Sequence, residues 1–93
     1  MVLKQKSSNK VHRRYLLIAN GTRKEIEEVI LDYIGILGWA KVKPVFVEDA
    51  RIKDGVVLSI ERKALEEVRA AFELSKKNMK ITRVSGTIAG LSK

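Results

Sequence analysis

A strand, a turn and a helix follow one another in residues 14–37, RYLLIANGTRKEIEEVILDYIGIL. Residues 14–19 form an apolar run of strand length, and Asn20-Gly21 after it favours a turn. Thr22 and Glu25 have the spacing of a capping box, in which a hydroxyl and a carboxylate each satisfy a free backbone N–H at a helix start. The fold is therefore predicted to open with a β-α unit.

The helix of this unit carries its apolar side chains on one stripe. Their period of about 3.6 residues is typical of a helix that turns one face toward a core. The stripe consists of Ile26, Val29, Ile30, Tyr33, Ile34 and Leu37. Gly38 is expected to end the helix, since glycine is common immediately after helix C-termini.

Two strands are predicted after this helix. Residues 40–47 form the first, and because Pro44 donates no ladder hydrogen bond, this strand is expected at a sheet edge. Residues 56–61 form the next, with the alternation of a strand that has two different faces. The side chains expected to face the helices are Val56, Leu58 and Ile60.

A second helix and a last strand complete the pattern. The helix is predicted over about residues 63–77, and it should bury Leu65, Val68 and Phe72. The last strand is predicted over residues 80–84, and the fold is expected to end before Ser85-Gly86-Thr87-Ile88.

The element order β-α-β-β-α-β predicts an α/β protein built as an α+β sandwich, with two helices on one face of a four-stranded antiparallel sheet. This is the ferredoxin-like arrangement, in which the first and third strands are central. We predict a flexible basic N-terminal arm over residues 1–12 and a single ferredoxin-like domain over residues 13–93. The fold alone says little about function, because it hosts many unrelated activities.

Basic residues are concentrated at the two ends of the chain. The chain has 19 Lys and Arg against 11 Asp and Glu, a net charge of +8. Residues 1–14 hold five basic residues and residues 76–93 hold five more, and neither segment contains an acid. Such segregation suits binding to a polyanion, because each Lys or Arg that neutralises a phosphate releases a counterion. The alternative is that the charge serves only solubility.

The sequence offers little catalytic chemistry. With no cysteine, disulfides, thiolate metal sites and cysteine nucleophiles are excluded. His12, the single histidine, lies in the basic arm, where a general base would lack fixed geometry. The acids of the helices alternate with basic residues, as on a solvated face. We therefore expect no catalytic residue, no metal site and no bound cofactor.

Two further expectations concern surroundings and partners. No apolar run approaches the roughly 18 residues of a membrane helix, and a cytoplasmic protein is expected.

The open face of the sheet is predicted to be apolar, without the aromatic platform on which RNA bases stack. Such a face favours a protein partner or self-association. The candidate partner contacts are Tyr15, Phe46 and Val57.

Four short motifs carry a resemblance to a known family. They are RYLL at 14–17, AKVKP at 40–44, DGVV at 54–57 and VSGTI at 84–88. In this order they resemble the archaeal and eukaryotic ribonuclease P protein component 2 family over about residues 13–88. Family members often continue past the last motif into a basic helical tail, whereas this sequence ends at Lys93.

The resemblance implies a non-catalytic, RNA-binding protein subunit of ribonuclease P, the endonuclease that removes 5′ leaders from precursor tRNA. The RNA subunit and its Mg2+ ions would carry the cleavage, and the protein would bind no cofactor. The implied partners are ribonuclease P RNA, precursor tRNA and a barrel-shaped protein subunit, component 3. A two-plus-two assembly of the two proteins, with a homodimer of this chain, is implied as well.

The resemblance also implies RNA contacts at the basic ends and at the last motif. The residues are Lys10, Arg13, Arg14, Lys80, Arg83, Ser85, Gly86 and Thr87. The last three would supply backbone N–H and hydroxyl donors, with Gly86 permitting a close approach. Alternatively, Gly86 simply makes a turn. Two other functions stay open: a free-standing ferredoxin-like protein-interaction module, and a component of another ribonucleoprotein such as the ribosome.

Overall fold

The structure, a computed structural model, describes residues 12–92. It confirms the predicted order β-α-β-β-α-β and adds a short C-terminal helix. The elements are β1 (Arg13–Ala19), α1 (Arg23–Val42), β2 (Val45–Val47), β3 (Val56–Glu61), a 3-10 turn (Arg62–Ala64), α2 (Leu65–Leu74), β4 (Lys80–Ser85) and α3 (Ile88–Leu91). The predicted arm lies outside the described residues except for His12, whose carbonyl accepts the Arg62 N–H at 2.8 Å.

The four strands form one antiparallel sheet in the order β2-β3-β1-β4. The central positions of β1 and β3 are confirmed, and so is the edge position of β2. Leu16 of β1 lies opposite Leu58 of β3 and Val84 of β4. The second strand is shorter than predicted, because residues 40–42 belong to α1 and Pro44 precedes the first paired residue.

The main core lies between the sheet and the two long helices. Leu16, Ile18, Leu58 and Ile60 point from the central strands into it. The helices contribute Ile26, Val29 and Ile30 from α1 and Val68, Ala71 and Phe72 from α2. Val56 packs against the same cluster, so the predicted helix-facing side of the third strand is confirmed.

Helix α1 starts as predicted and ends later. Thr22 Oγ1 accepts the Glu25 N–H at 3.2 Å, and Glu25 Oε1 accepts the Thr22 N–H at 3.0 Å, which confirms the capping box. Gly35 interrupts the helix with φ 86° and ψ 173°. The chain then resumes helical geometry up to Val42, so the prediction that Gly38 ends the helix is wrong.

The interruption at Gly35 redirects the rest of the apolar stripe. Ile36 and Leu37 are 80% and 83% exposed, and the predicted burial of Leu37 is wrong. Val42 is buried in the main core instead. Tyr33 is also exposed, and its hydroxyl donates to the Leu74 carbonyl at 3.1 Å. The backbone conformation of Gly35, which residues other than glycine rarely adopt, therefore turns the later apolar side chains of α1 away from the core.

The second helix is shorter than predicted at both ends. Residues 62–64 form the 3-10 turn, and α2 ends at Leu74 because Ser75 adopts an extended conformation with φ −66° and ψ 143°. The burial of Val68 and Phe72 is confirmed, and Leu65 is partly buried against the core.

The other face of the sheet is partly covered by α3, which the sequence analysis missed. Leu91 of α3 is 3% exposed and packs with Leu17 and Val57. Tyr15, Val47 and Ile52 pack around these three side chains. The chain therefore continues beyond the last strand and closes part of the face expected to be open. No helix in the described part of the chain is long and apolar enough to cross a membrane.

Candidate nucleic-acid interface

Arg13, expected to contact phosphate, makes three hydrogen bonds inside the protein. Its Nε donates to Ser59 Oγ at 2.9 Å, and its Nη2 donates to the Ser59 carbonyl at 2.9 Å and the Lys43 carbonyl at 2.7 Å. Ser59 is buried, whereas Lys43 follows α1 in a left-handed conformation. The guanidinium therefore joins the two central strands to the junction between α1 and β2.

Arg14 lies beside the last motif of the sequence. Its Nη1 donates to the Arg13 carbonyl at 3.0 Å. The same nitrogen would lie 3.5 Å from a Cβ placed on Gly86, an ordinary van der Waals distance. Gly86 is exposed and follows directly after β4. The structure thus brings a cation from β1 and an exposed glycine from the chain end together.

Ser85 and Thr87 use their hydroxyl oxygens to start α3. Ser85 Oγ accepts the Thr87 N–H at 3.1 Å, and Thr87 Oγ1 accepts the Gly90 N–H at 3.1 Å. Thr87 is the N-cap of α3. The backbone N–H of Thr87 is therefore engaged inside the protein, and the motif has a structural role that the sequence analysis did not foresee.

Lys80 and Arg83 are exposed on β4, the strand that ends the sheet. They line a groove of about 550 Å³ between β4 and α2. Arg69, an exposed residue of α2, lines the same groove. The basic residues of the helices were expected on a solvated face, and only the packing of α2 beside β4 reveals that Arg69 lies near the other two cations.

The three candidate partner contacts do not share one face. Tyr15 and Val57 belong to the cluster under α3, and Val57 is 3% exposed. Phe46 packs against the main core on the opposite face. The Arg23 guanidinium lies 5.5 Å from the centre of the Phe46 ring, within the range of a cation–π interaction. Of the three, Tyr15 is the residue that is half-buried on the α3 face.

One carboxylate has a strongly perturbed acidity. Arg51 donates from its side chain to both carboxylate oxygens of Asp49, at 3.0 and 2.8 Å, and its backbone N–H donates to one of them at 2.9 Å. These hydrogen bonds to the charged form lower the pKa of Asp49 to about 2. The pair lies in the loop between β2 and β3.

The described residues contain no assembled metal centre. Between residues 12 and 92, no three His, Asp or Glu side chains are grouped closely enough to hold a metal ion. Lys10, another expected RNA contact, lies outside the described residues.

These features define a small ferredoxin-like protein with a basic sheet edge. No protein-family model matches the chain. Ribonuclease P protein component 2 of Thermococcus gammatolerans is 38% identical to the chain in an alignment of 78 positions, which covers 76% of the chain and 64% of that relative's length. This similarity confirms the resemblance to the ribonuclease P protein component 2 family that the four motifs carry. The chain spans 64% of the length of the relative it matches.

Proposed function

We propose that the chain is a non-catalytic, RNA-binding protein subunit of ribonuclease P. The similarity to a protein named ribonuclease P protein component 2 is the observation that carries this proposal. In this role the chain assists the catalytic RNA in removing 5′ leaders from precursor tRNA in the cytoplasm. The Mg2+ ions of the reaction are bound by the RNA, and the protein contributes contacts that stabilise the folded RNA.

The distribution of cations supports RNA binding. Lys80, Arg83 and Arg69 are exposed along one edge, and Arg14 lies beside Gly86 at the end of the same strand. Exposed Lys and Arg side chains contribute the phosphate contacts that dominate affinity for nucleic acid. Arg13 is assigned a different role, since its Nε and Nη2 hold two strands and a helix end together.

The proposed protein partners are the barrel-shaped component 3 subunit and a second copy of this chain, in a two-plus-two assembly on ribonuclease P RNA and precursor tRNA. Ile36 and Leu37 offer neighbouring apolar side chains to such partners. Exposed apolar side chains that lie together favour protein interaction. These two residues replace Phe46 and Val57 as the proposed protein contacts, because both of those side chains pack inside the chain.

A competition experiment tests the RNA-binding role. The full chain is titrated against labelled ribonuclease P RNA, and the complex is then challenged with unlabelled RNA of equal length and unrelated structure, at several salt concentrations. We expect the ribonuclease P RNA to be retained preferentially. Equal displacement by both RNAs, with all binding erased by moderate salt, would instead indicate a protein-interaction module with a basic surface.

A further inference from the structure

We propose that the outer edge of β4 is a track for the sugar-phosphate backbone of single-stranded RNA, gripped by Arg69, Lys80 and Arg83. This inference rests on the proposed function and deepens it, since it assigns the RNA contact to one groove and adds Arg69 to it. Because β4 ends the sheet, its outer edge has no neighbouring strand among residues 12–92.

The groove has an apolar floor, with Arg69 and Glu73 of α2 on one side and the edge of β4 on the other. Phe72 and Met79 are buried beneath it, and Ile81 and Val84 pack against the same core. The groove has a volume of about 550 Å³ and is open to solvent.

The three cations lie on both sides of the strand edge. Arg83 is opposite Leu17, whose side chain belongs to the cluster under α3, and Lys80 is opposite Ala19, two residues further along β1. These positions place both residues on the α3 side of the sheet. Arg69 belongs to α2 and lies on the other side. A backbone that follows the edge therefore has a cation within reach from either side.

The outer edge of β4 also offers hydrogen-bond donors that suit phosphate oxygens. The outer edge of a terminal strand presents backbone N–H groups that form no ladder hydrogen bond. Phosphate oxygens accept hydrogen bonds from backbone N–H groups as well as from Lys and Arg. The combination recognises the backbone of RNA and is independent of base identity.

A bulge in β4 favours RNA over an added protein strand. The register changes from Leu17 opposite Arg83 to Ile18 opposite Ile81, which leaves Thr82 as an extra residue. Thr82 Oγ1 donates to the Leu17 carbonyl at 3.1 Å and holds the bulge in place. A bulge disturbs the regular spacing that a further strand needs, and bulges on edge strands oppose such pairing. The flexible backbone of single-stranded RNA has no such requirement.

The test compares two charge-matched variants of the full chain. One variant replaces Arg69, Lys80 and Arg83 by Ala, and the other replaces Lys24, Lys53 and Lys63, exposed cations outside the groove, by Ala. The probes are a single-stranded polyuridine and ribonuclease P RNA, and the readout is the slope of log affinity against log salt. The groove variant should lose about 2 from the magnitude of the slope, at about 0.7 per phosphate contact, and the control should change far less.

A gain of charge provides a second test. Glu73 is an acidic residue of the groove, and Glu73→Lys should steepen the salt dependence by up to about 0.7. Glu67→Lys is the matched control, because Glu67 is an exposed residue of α2 that lines a different groove. Equal effects of the two substitutions would mean that only the net charge matters, and would overturn the proposed track.

Three further results would also overturn the inference. In the first, the salt-dependence slope changes equally in both triple variants, and in the second it changes in neither. In the third, the groove variant still binds RNA but no longer binds the barrel-shaped protein subunit. Failure of the proposed function is separate, because it would appear as a wild-type chain that shows no preference for ribonuclease P RNA. The polyuridine probe reports on the groove whichever result that comparison gives.

Discussion

The guanidinium group of Arg13 holds the hydroxyl and the carbonyl of Ser59. Its Nε is 2.9 Å from Ser59 Oγ, and its Nη2 is 2.9 Å from the Ser59 carbonyl oxygen. Ser59 is the one buried polar residue of the described range, with 4% exposure. A buried hydroxyl is costly without a partner. The pair therefore makes Arg13 a structural residue that joins the two central strands, although its sequence context is that of a basic end expected to bind phosphate.

Arg13→Ala should destabilise the fold by about 1–3 kcal/mol, because Ser59 loses its hydrogen-bond donor in a buried position. Urea unfolding measures this change. Arg83→Ala, at an exposed site, is the control and should change the free energy of unfolding by less than about 0.5 kcal/mol. In a double-mutant cycle with Ser59→Ala, the two substitutions should be coupled by at least about 0.5 kcal/mol. Additive effects would show that the pair contributes nothing as a pair.

Gly35→Ala should destabilise the protein by about 1–3 kcal/mol, because φ 86° and ψ 173° lie in a region that is essentially restricted to glycine. No atom beyond the adjacent residues and the nearby backbone of the helix lies within 4 Å of the added Cβ, so the loss would come from the backbone conformation and not from a clash. Gly86→Ala is the matched control, since Gly86 has no positive φ and its Cβ would make an ordinary contact. Thermal unfolding followed by circular dichroism compares the two. Equal stabilities would contradict the assigned strain.

The sequence predicts the parts of the fold that local patterns determine. The capping box at Thr22, the alternation along β3 and the edge position of β2 each follow from a local rule, and all three are confirmed. The kink at Gly35 was missed because glycine is compatible with a continued helix, and only the packing of the C-terminal part of α1 selects the positive φ. Helix α3 was missed because four residues are too short for a periodic signal.

The sequence indicates that basic residues belong to the candidate site, but it does not show how the fold arranges them. An excess of basic residues near the C-terminus drew attention to Lys80 and Arg83, and the structure places both at exposed positions of β4. That Arg69 lies beside them depends on the packing of α2 against β4, which no local pattern encodes. The internal role of Arg13 is equally hidden, since Ser59 and Lys43 are 46 and 30 residues away in sequence.

Leu91→Ala should destabilise the protein by about 2 kcal/mol, because it removes the α3 side chain that packs on Leu17 and Val57. Amide hydrogen exchange should accelerate in α3 and at the adjoining part of β1. Leu74→Ala is the control, because Leu74 is 66% exposed and its truncation should cost less than about 0.5 kcal/mol. If the two variants have the same stability and exchange pattern, α3 does not cover the sheet.

The carboxyl of Asp49 should titrate with a midpoint near 2 in an NMR pH titration, because Arg51 lowers the pKa from the ordinary value of 3.8 to about 2. Since the folded-state pKa is the lower one, the stabilising effect is complete above about pH 4 and disappears as the pH falls through 2. Arg51→Ala should raise the midpoint toward 3.8, although the backbone N–H of residue 51 still donates. A wild-type midpoint near 3.8 would contradict the assigned hydrogen bonds.

The most direct measurement of the central claim is reconstitution of precursor-tRNA cleavage. Ribonuclease P RNA and the other protein subunits from the same organism are assayed at low Mg2+ with and without the chain. The proposed function predicts that adding the chain increases the cleavage rate or lowers the Mg2+ concentration required, and that the groove variant restores less activity than its charge-matched control. Cleavage that is unaffected by the chain at every Mg2+ concentration would contradict its role as a subunit of ribonuclease P.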